Sequence, residues 1–117
     1  MSGFSRSFRL ISKQDFQFVF AKPYKVSHRY LLALYRPNQC SHPRLGIIIS
    51  KQHVKRAVDR NLLRRIIRES FRYHRDMLKE LDIIVLVRSK WSPLDSKTLR
   101  NDIDNLWLLL INSFKPD

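Results

Sequence analysis

The sequence predicts an α+β domain with the element order α-β-β-α-β-α, its helices packed as a compact sandwich against a small sheet. Three observations predict it. Residues 51–75 carry arginines at every fourth position with aliphatic residues on the opposite arc, the pattern of one long amphipathic helix. Apolar runs at 29–36, 45–50 and 82–87 have the length and composition of strands. A stripe of Leu99, Ile103, Leu106, Trp107, Leu110 and Phe114 recurs at helical spacing near the end. At 117 residues the chain is long enough for an ordinary core, and no repeat or linker divides residues 1–117 into more than one domain.

Residues 1–11 are basic and irregular, with Phe4, Arg6, Phe8, Arg9 and Leu10 interspersed. Ser12 then suits the cap of a short helix, with Asp15 at the third position facing the positive helix end. Within that helix Phe16, Val19 and Phe20 share a face, Phe18 points elsewhere, and Pro23 stops it. Arg29–Arg36 reads as a strand from its run Tyr-Leu-Leu-Ala-Leu-Tyr. The turn-rich stretch Pro37–Pro43 leads into a second strand, Leu45–Ser50, and the two are expected to pair as an antiparallel hairpin.

In the long helix Arg56, Arg60, Arg64, Arg68 and Arg72 advance about 40° per step, a slowly winding ridge with Asn61 and Arg65 beside it. Val58, Leu62, Leu63, Ile66, Ile67 and Phe71 fill the inward arc. Asp82–Val87 is a continuous apolar run suited to a buried strand, so strand, helix and strand suggest a βαβ unit with a parallel pair. Ser92-Pro93-Leu94-Asp95 opens the last helix, with Ser as cap, Pro in the first turn and Asp at the third position.

The formal net charge of +13 is unevenly spread. Residues 1–36 hold seven basic and one acidic side chain, and residues 51–75 hold nine and two. Residues 76–117 hold six basic and seven acidic, so the excess belongs to the first two thirds. A field of this size draws a polyanion, nucleic acid first and an anionic membrane surface second. Most of these cations are arginines, whose planar fork suits phosphate and stacks on bases. With 44% hydrophobic residues, the chain is not a disordered basic tail. Cys40 is the single cysteine, which excludes an internal disulfide and fits a reducing cytoplasm. The longest aliphatic run, Leu106–Ile111, is far short of a bilayer span of about 20 residues.

No catalytic constellation assembles. His28, His42, His53 and His74 lack metal-ligand spacing among themselves or with Cys40. Asp95 reads as a cap, and Asp102 and Asp104 as a solvated helix face, so the carboxylate cluster of a two-metal nuclease is missing. Two glycines, Gly3 and Gly46, exclude a glycine-rich phosphate loop. The composition leaves a nucleic-acid binder.

Two strings carry a resemblance. Arg44-Leu45-Gly46-Ile47-Ile48-Ile49-Ser50-Lys51, followed by Arg60-Asn61-Leu62-Leu63-Arg64-Arg65-Ile66-Ile67-Arg68-Glu69-Ser70-Phe71-Arg72, resembles the bacterial ribonuclease P protein component family. The likeness extends to 12–20 and 82–87, in the same order along the chain. It departs from the family pattern at Leu62, where a second arginine usually follows the asparagine. The resemblance implies a ribosomal protein S5 domain 2-like fold with a left-handed crossover through the arginine helix. It also implies a subunit that helps remove the 5′ leader of precursor tRNA, while a catalytic RNA with bound Mg²⁺ performs the hydrolysis. Implied partners are ribonuclease P RNA, with a monomer in a 1:1 complex as the simplest expectation, and precursor tRNA.

Carried onto this chain, the arginine-helix contacts to RNA fall on Lys51, Arg56, Arg60, Asn61, Arg64, Arg65, Arg68 and Arg72. The leader cleft falls on Phe16 and Phe20, flanked by Lys25 and Arg29. On pattern alone Phe16 and Phe20 fit core packing as well as they fit stacking on single-stranded RNA. Two rival classes stay open at this level. One is a helix-turn-helix DNA reader, which requires a helix and short turn before the arginine helix. The other is a ribosomal or RNA-chaperone protein with no part in tRNA processing.

Overall fold

Four strands, rather than three, form the sheet, in the order β1-β2-β4-β3. The computed structural model describes residues 8–9, 12–88 and 91–114. Most of the basic opening segment, including Phe4, Arg6 and Leu10, lies outside the described residues. The elements are α1 (Lys13–Ala21), β1 (Tyr24–His28), β2 (Leu31–Pro37), β3 (Arg44–Ile49), α2 (Ala57–Leu78), β4 (Leu81–Val87) and α3 (Leu99–Ser113).

β4 is apolar on both faces, so it is stable only at the centre of a sheet covered on both sides. It therefore separates the two segments expected to form a hairpin. β2 pairs antiparallel with β4, and β3 pairs parallel with β4 from Arg44↔Asp82 to Ile49↔Val87. The hairpin partner of β2 is instead β1, in register from Tyr24↔Tyr35 to His28↔Leu31. The β3-α2-β4 unit with its parallel pair matches the sequence reading.

Both helices α2 and α3 cover one sheet face. Leu63, Ile67 and Phe71 of α2 and Ile103, Leu106 and Trp107 of α3 are fully buried there, against Ala33, Ile83 and Val85. The Trp107 indole donates to Ser70 Oγ at 2.8 Å, which satisfies that buried N–H. Val58, placed on the inward arc by periodicity, is exposed at the first turn of α2, ahead of the packed region. On the other face, among the described residues, the helix that packs is α1. Its Val19 seats on Leu34 and Ile84, with Phe16, Leu32, Ile48 and Leu86 half-buried around it. One nine-residue helix cannot cover four strands, and an open groove remains.

The caps follow the sequence with one shift. Ser12 and Asp15 form a reciprocal capping box at α1, each bond 3.1 Å. Ser92 and Asp95 form a second one, but it opens a 3-10 turn over Pro93–Lys97, and α3 itself begins at Leu99. Among the described residues no helix is long and apolar enough to cross a membrane.

Asp102 is not on a solvated face. It is buried at the start of α3, where it accepts hydrogen bonds from Tyr30 Oη at 2.7 Å, Thr98 Oγ1 at 3.1 Å and Arg29 Nη1 at 3.1 Å. Burial by itself pushes this carboxyl up, but the bonds from Tyr30, Thr98 and Arg29 outweigh it and hold the carboxyl below its ordinary value. For the Tyr30 phenol, burial and then the same bond act together and push it far above the usual tyrosine value. The unfolded phenol ionises near pH 10 and the folded one does not, so this contribution is present below about pH 10 and is lost as pH rises beyond it. Tyr35, raised by burial, adds to the loss. Urea titrations from pH 8 to 11 are expected to show falling stability above about pH 10, with a shallower fall in Tyr30→Phe.

Candidate nucleic-acid interface

The cationic flank of α2 is set by the packing of its other side. With Leu63, Ile67 and Phe71 fixed on the sheet, a step of about 100° per residue turns Arg64, Arg65, Arg68 and Arg72 away from the core. Among the described residues no carboxylate forms an ion pair with Arg56, Arg60, Arg64, Arg65 or Arg68. Arg68 is half-buried, and its guanidinium is held below the ordinary arginine value by burial first and then by the neighbouring charges of Arg9 and Arg64. Three cations thus act on one another here, and among the described residues none of them forms an ion pair with a carboxylate. Such a cluster costs self-repulsion in the free protein, and bound anions relieve it.

Other members of the row have structural duties. Arg60 Nη1 donates to the carbonyls of Val54 and Lys55 at 2.8 and 2.9 Å, closing the approach to α2 onto its first turn. That leaves most of its N–H donors for a ligand. Arg56 is the N-cap residue of α2 and is exposed, as are Lys51 and Asn61. Arg72 is also exposed. Arg75 lies over the Phe8 ring at 5.0 Å, and Phe8 meets His42 edge-on at 5.0 Å. These contacts hold Phe8 beside β3, where Arg9 bridges to Leu45. Arg9 joins the ridge without any signal in the sequence, because no periodicity surrounds it. Leu62 packs toward the core, so no cation stands at that point of the row.

The groove beside α1 gathers part of the second predicted set. Phe16 is half-buried against the sheet, while Phe20 remains 44% exposed, with ring centroids 6.5 Å apart. Phe16 therefore shares in the core, and Phe20 presents a free aromatic surface. Lys25 is the register partner of Leu34 and so stands on the same sheet face. Leu32, Ile48 and Leu86 supply an apolar floor that the sequence reading did not assign.

Arg29 is not part of this groove. It occupies the turn between β1 and β2 at φ 56, and its guanidinium binds Asp95 at 3.0 Å and Asp102 at 3.1 Å on the α3 side. Two carboxylates of the same chain engage it, so its charge is largely balanced within the fold. The region before α2 is β3 and a tight turn in which His53 and Val54 donate to the Ser50 carbonyl. A helix-turn-helix reader has a helix at that place.

Comparisons with known proteins agree with one another. The family model described as Ribonuclease P matches residues 4–110. The ribonuclease P protein component of Chromohalobacter salexigens is 46% identical over 106 residues, covering 90% of this chain and 83% of that protein. The corresponding protein of Pasteurella multocida is 40% identical over 104 residues, with 89% and 87% covered. Among solved structures, the RNase P protein of Staphylococcus aureus superimposes with a TM-score of 0.80 at 30% identity, covering 88% of this chain and 94% of that one. The RNase P protein of Thermotoga maritima gives 0.65 at 29% identity, with 89% and 92% covered. An α+β fold with a four-stranded sheet, an arginine-rich helix along one side and a match over nearly all of its length place this chain in the ribonuclease P protein component family.

Proposed function

We propose that this protein is the RNA-binding subunit of a ribonuclease P in which the catalytic RNA hydrolyses the 5′ leader from precursor tRNA. The observation that carries the reading is that, among the described residues, Arg56, Arg60, Arg64, Arg65 and Arg68 have no carboxylate partner, beside a groove with an exposed aromatic ring. In this reading α2 docks on the catalytic RNA, one protein per RNA. The α1 groove holds the single-stranded leader.

Bringing a large RNA and an RNA substrate together accumulates phosphate repulsion, and a folded protein of charge +13 lowers it by replacing condensed counterions. Fixing the leader in a groove raises the effective concentration of the scissile bond at the reacting centre. Mg²⁺ belongs to the RNA in this proposal. Among the described residues no three His, Cys, Asp or Glu side chains converge, and Asp82 and Asp102 are each bound by an arginine, so this chain's donors do not fit a magnesium cage.

The direct test is reconstitution. Mixed with ribonuclease P RNA at magnesium too low for the RNA alone, the protein is expected to restore cleavage at the mature 5′ end. A ribosomal or chaperone protein would not. Phe20→Ala tests the groove: it is expected to weaken binding of leader-bearing substrate by about 1–3 kcal/mol, the contribution of one stacked base, while the melting temperature stays within a few degrees. A fall in melting temperature with unchanged leader affinity would make Phe20 a core residue.

A further inference from the structure

A second cavity, of about 700 Å³, opens on the other flank of α1. With Val19 seated on the sheet, helical geometry sends Phe16 and Phe20 to one side and Gln14 and Phe18 to the other. Gln14, Phe18, Arg36, Gln39, Arg44 and Asp82 line this space. Arg36 lies on the same sheet face as Leu32 and Leu34 by strand alternation. Its guanidinium carbon is 3.8 Å from the Phe18 ring centroid, and its Nη1 donates to the Phe18 carbonyl at 2.6 Å. That carbonyl is among the last four of α1, so the bond also closes the helix end.

One of five N–H groups is used in this way, and among the described residues no carboxylate pairs with Arg36. The two acids nearby are already engaged: Arg44 lies 2.6 Å from Asp82 and 3.6 Å from Asp15. Charge inside the cavity is therefore balanced, which gives a bare phosphate little advantage. Its walls offer a stacked aromatic–guanidinium pair, two side-chain amides and a fixed fork of donors. These features fit a planar ligand with hydrogen-bond acceptors along one edge.

We propose that this cavity takes a nucleobase of single-stranded RNA, lying edge to edge with the Arg36 guanidinium that Phe18 supports from below, and read along that edge by Arg36, Gln14 and Gln39. Its volume lies in the range of small-ligand sites. A guanidinium only donates, so guanine, with O6 and N7 as adjacent acceptors, is the base that matches it. The inference rests on the RNA-binding reading above and extends it to a second base site across α1 from Phe20.

The test uses holoenzyme reconstituted with ribonuclease P RNA and precursor tRNAs whose leaders lengthen one nucleotide at a time, with guanine or cytosine at each new position. Past a threshold length, guanine at one position is expected to bind roughly 5- to 150-fold tighter than cytosine, the discrimination given by one bidentate edge contact. Phe18→Ala and Arg36→Gln should each abolish that gain while shorter leaders bind as before. Arg36→Lys keeps a donor for the helix end but not the fork, and should abolish it too. The proposal is overturned if no length- and base-dependent gain appears, or if the gain survives Phe18→Ala. Phe18→Ala changes an exposed ring and decides the matter even if the Arg36 variants fail to fold. Loss of leader affinity in Phe20→Ala alone would overturn this site and leave the subunit reading intact. If Phe20→Ala also changes nothing, the leader assignment falls as well.

Discussion

Asp82→Ala is expected to cost about 3–5 kcal/mol, the range for breaking one side of a buried, hydrogen-bonded ion pair. The Asp82 side chain is fully buried at the start of β4. It accepts from Arg44 Nε at 2.8 Å, Arg44 Nη2 at 2.6 Å and Asn38 Nδ2 at 2.7 Å. Without it, the Arg44 guanidinium keeps the longer contact to Asp15 at 3.6 Å, and the Asn38 amide keeps the His42 carbonyl at 3.3 Å. These bonds join β3, β4 and the 38–43 loop at one corner of the sheet. For a domain of this size the loss corresponds to a fall in melting temperature of about 10–25 °C. Thermal melts at constant salt measure it. A loss below about 1 kcal/mol would rank the pair with exposed ion pairs and would show that the corner is held by packing alone.

The second large effect is on assembly rather than folding. Arg64→Ala combined with Arg68→Ala is expected to leave the melting temperature unchanged or slightly raised, because both changes relieve crowding among Arg9, Arg64 and Arg68. Binding to ribonuclease P RNA should weaken by about 10- to 100-fold near 0.1 M salt, and the slope of log K against log salt should flatten by about 1.4–1.8. The combination separates the alternatives. A structural role would lower the melting temperature, whereas a phosphate-contacting role changes affinity and salt slope together. An unchanged slope would remove these two arginines from the interface.

Long periodic elements could be read from the sequence because their burial pattern is written in consecutive residues. Leu63, Ile67 and Phe71 define the inner side of α2, and the run 82–87 marks a strand covered on both faces. β1 was missed although Tyr24, Val26 and His28 alternate with Lys25 and Ser27, because the turn that follows carries no turn residue. Arg29 takes a left-handed conformation that glycine or asparagine usually fills. It is held there by Asp95 and Asp102, more than sixty positions away. The same distance hid Asp102, which looks like any polar residue on a helix until Tyr30 is seen against it. Adjacency in sequence does not become adjacency in the sheet for β2 and β3, because the doubly apolar β4 inserts between them. Within the candidate site, the guanidinium ridge follows from spacing alone. Which arginines carry internal bonds, as Arg60 does to Val54 and Lys55, depends on loop geometry that spacing does not encode.

The clasp between the first hairpin and the start of α3 has a consequence for synthesis. A ribosome releases the N-terminal strands long before the residues that lock them, since Asp102 is translated some seventy codons after Arg29. The β3-α2-β4 unit closes over shorter separations and is complete first. The nascent polypeptide therefore presents its cationic helix while the turn that later carries Arg29 still lacks its anchor. The final helix is what turns a charged, half-assembled chain into a finished one.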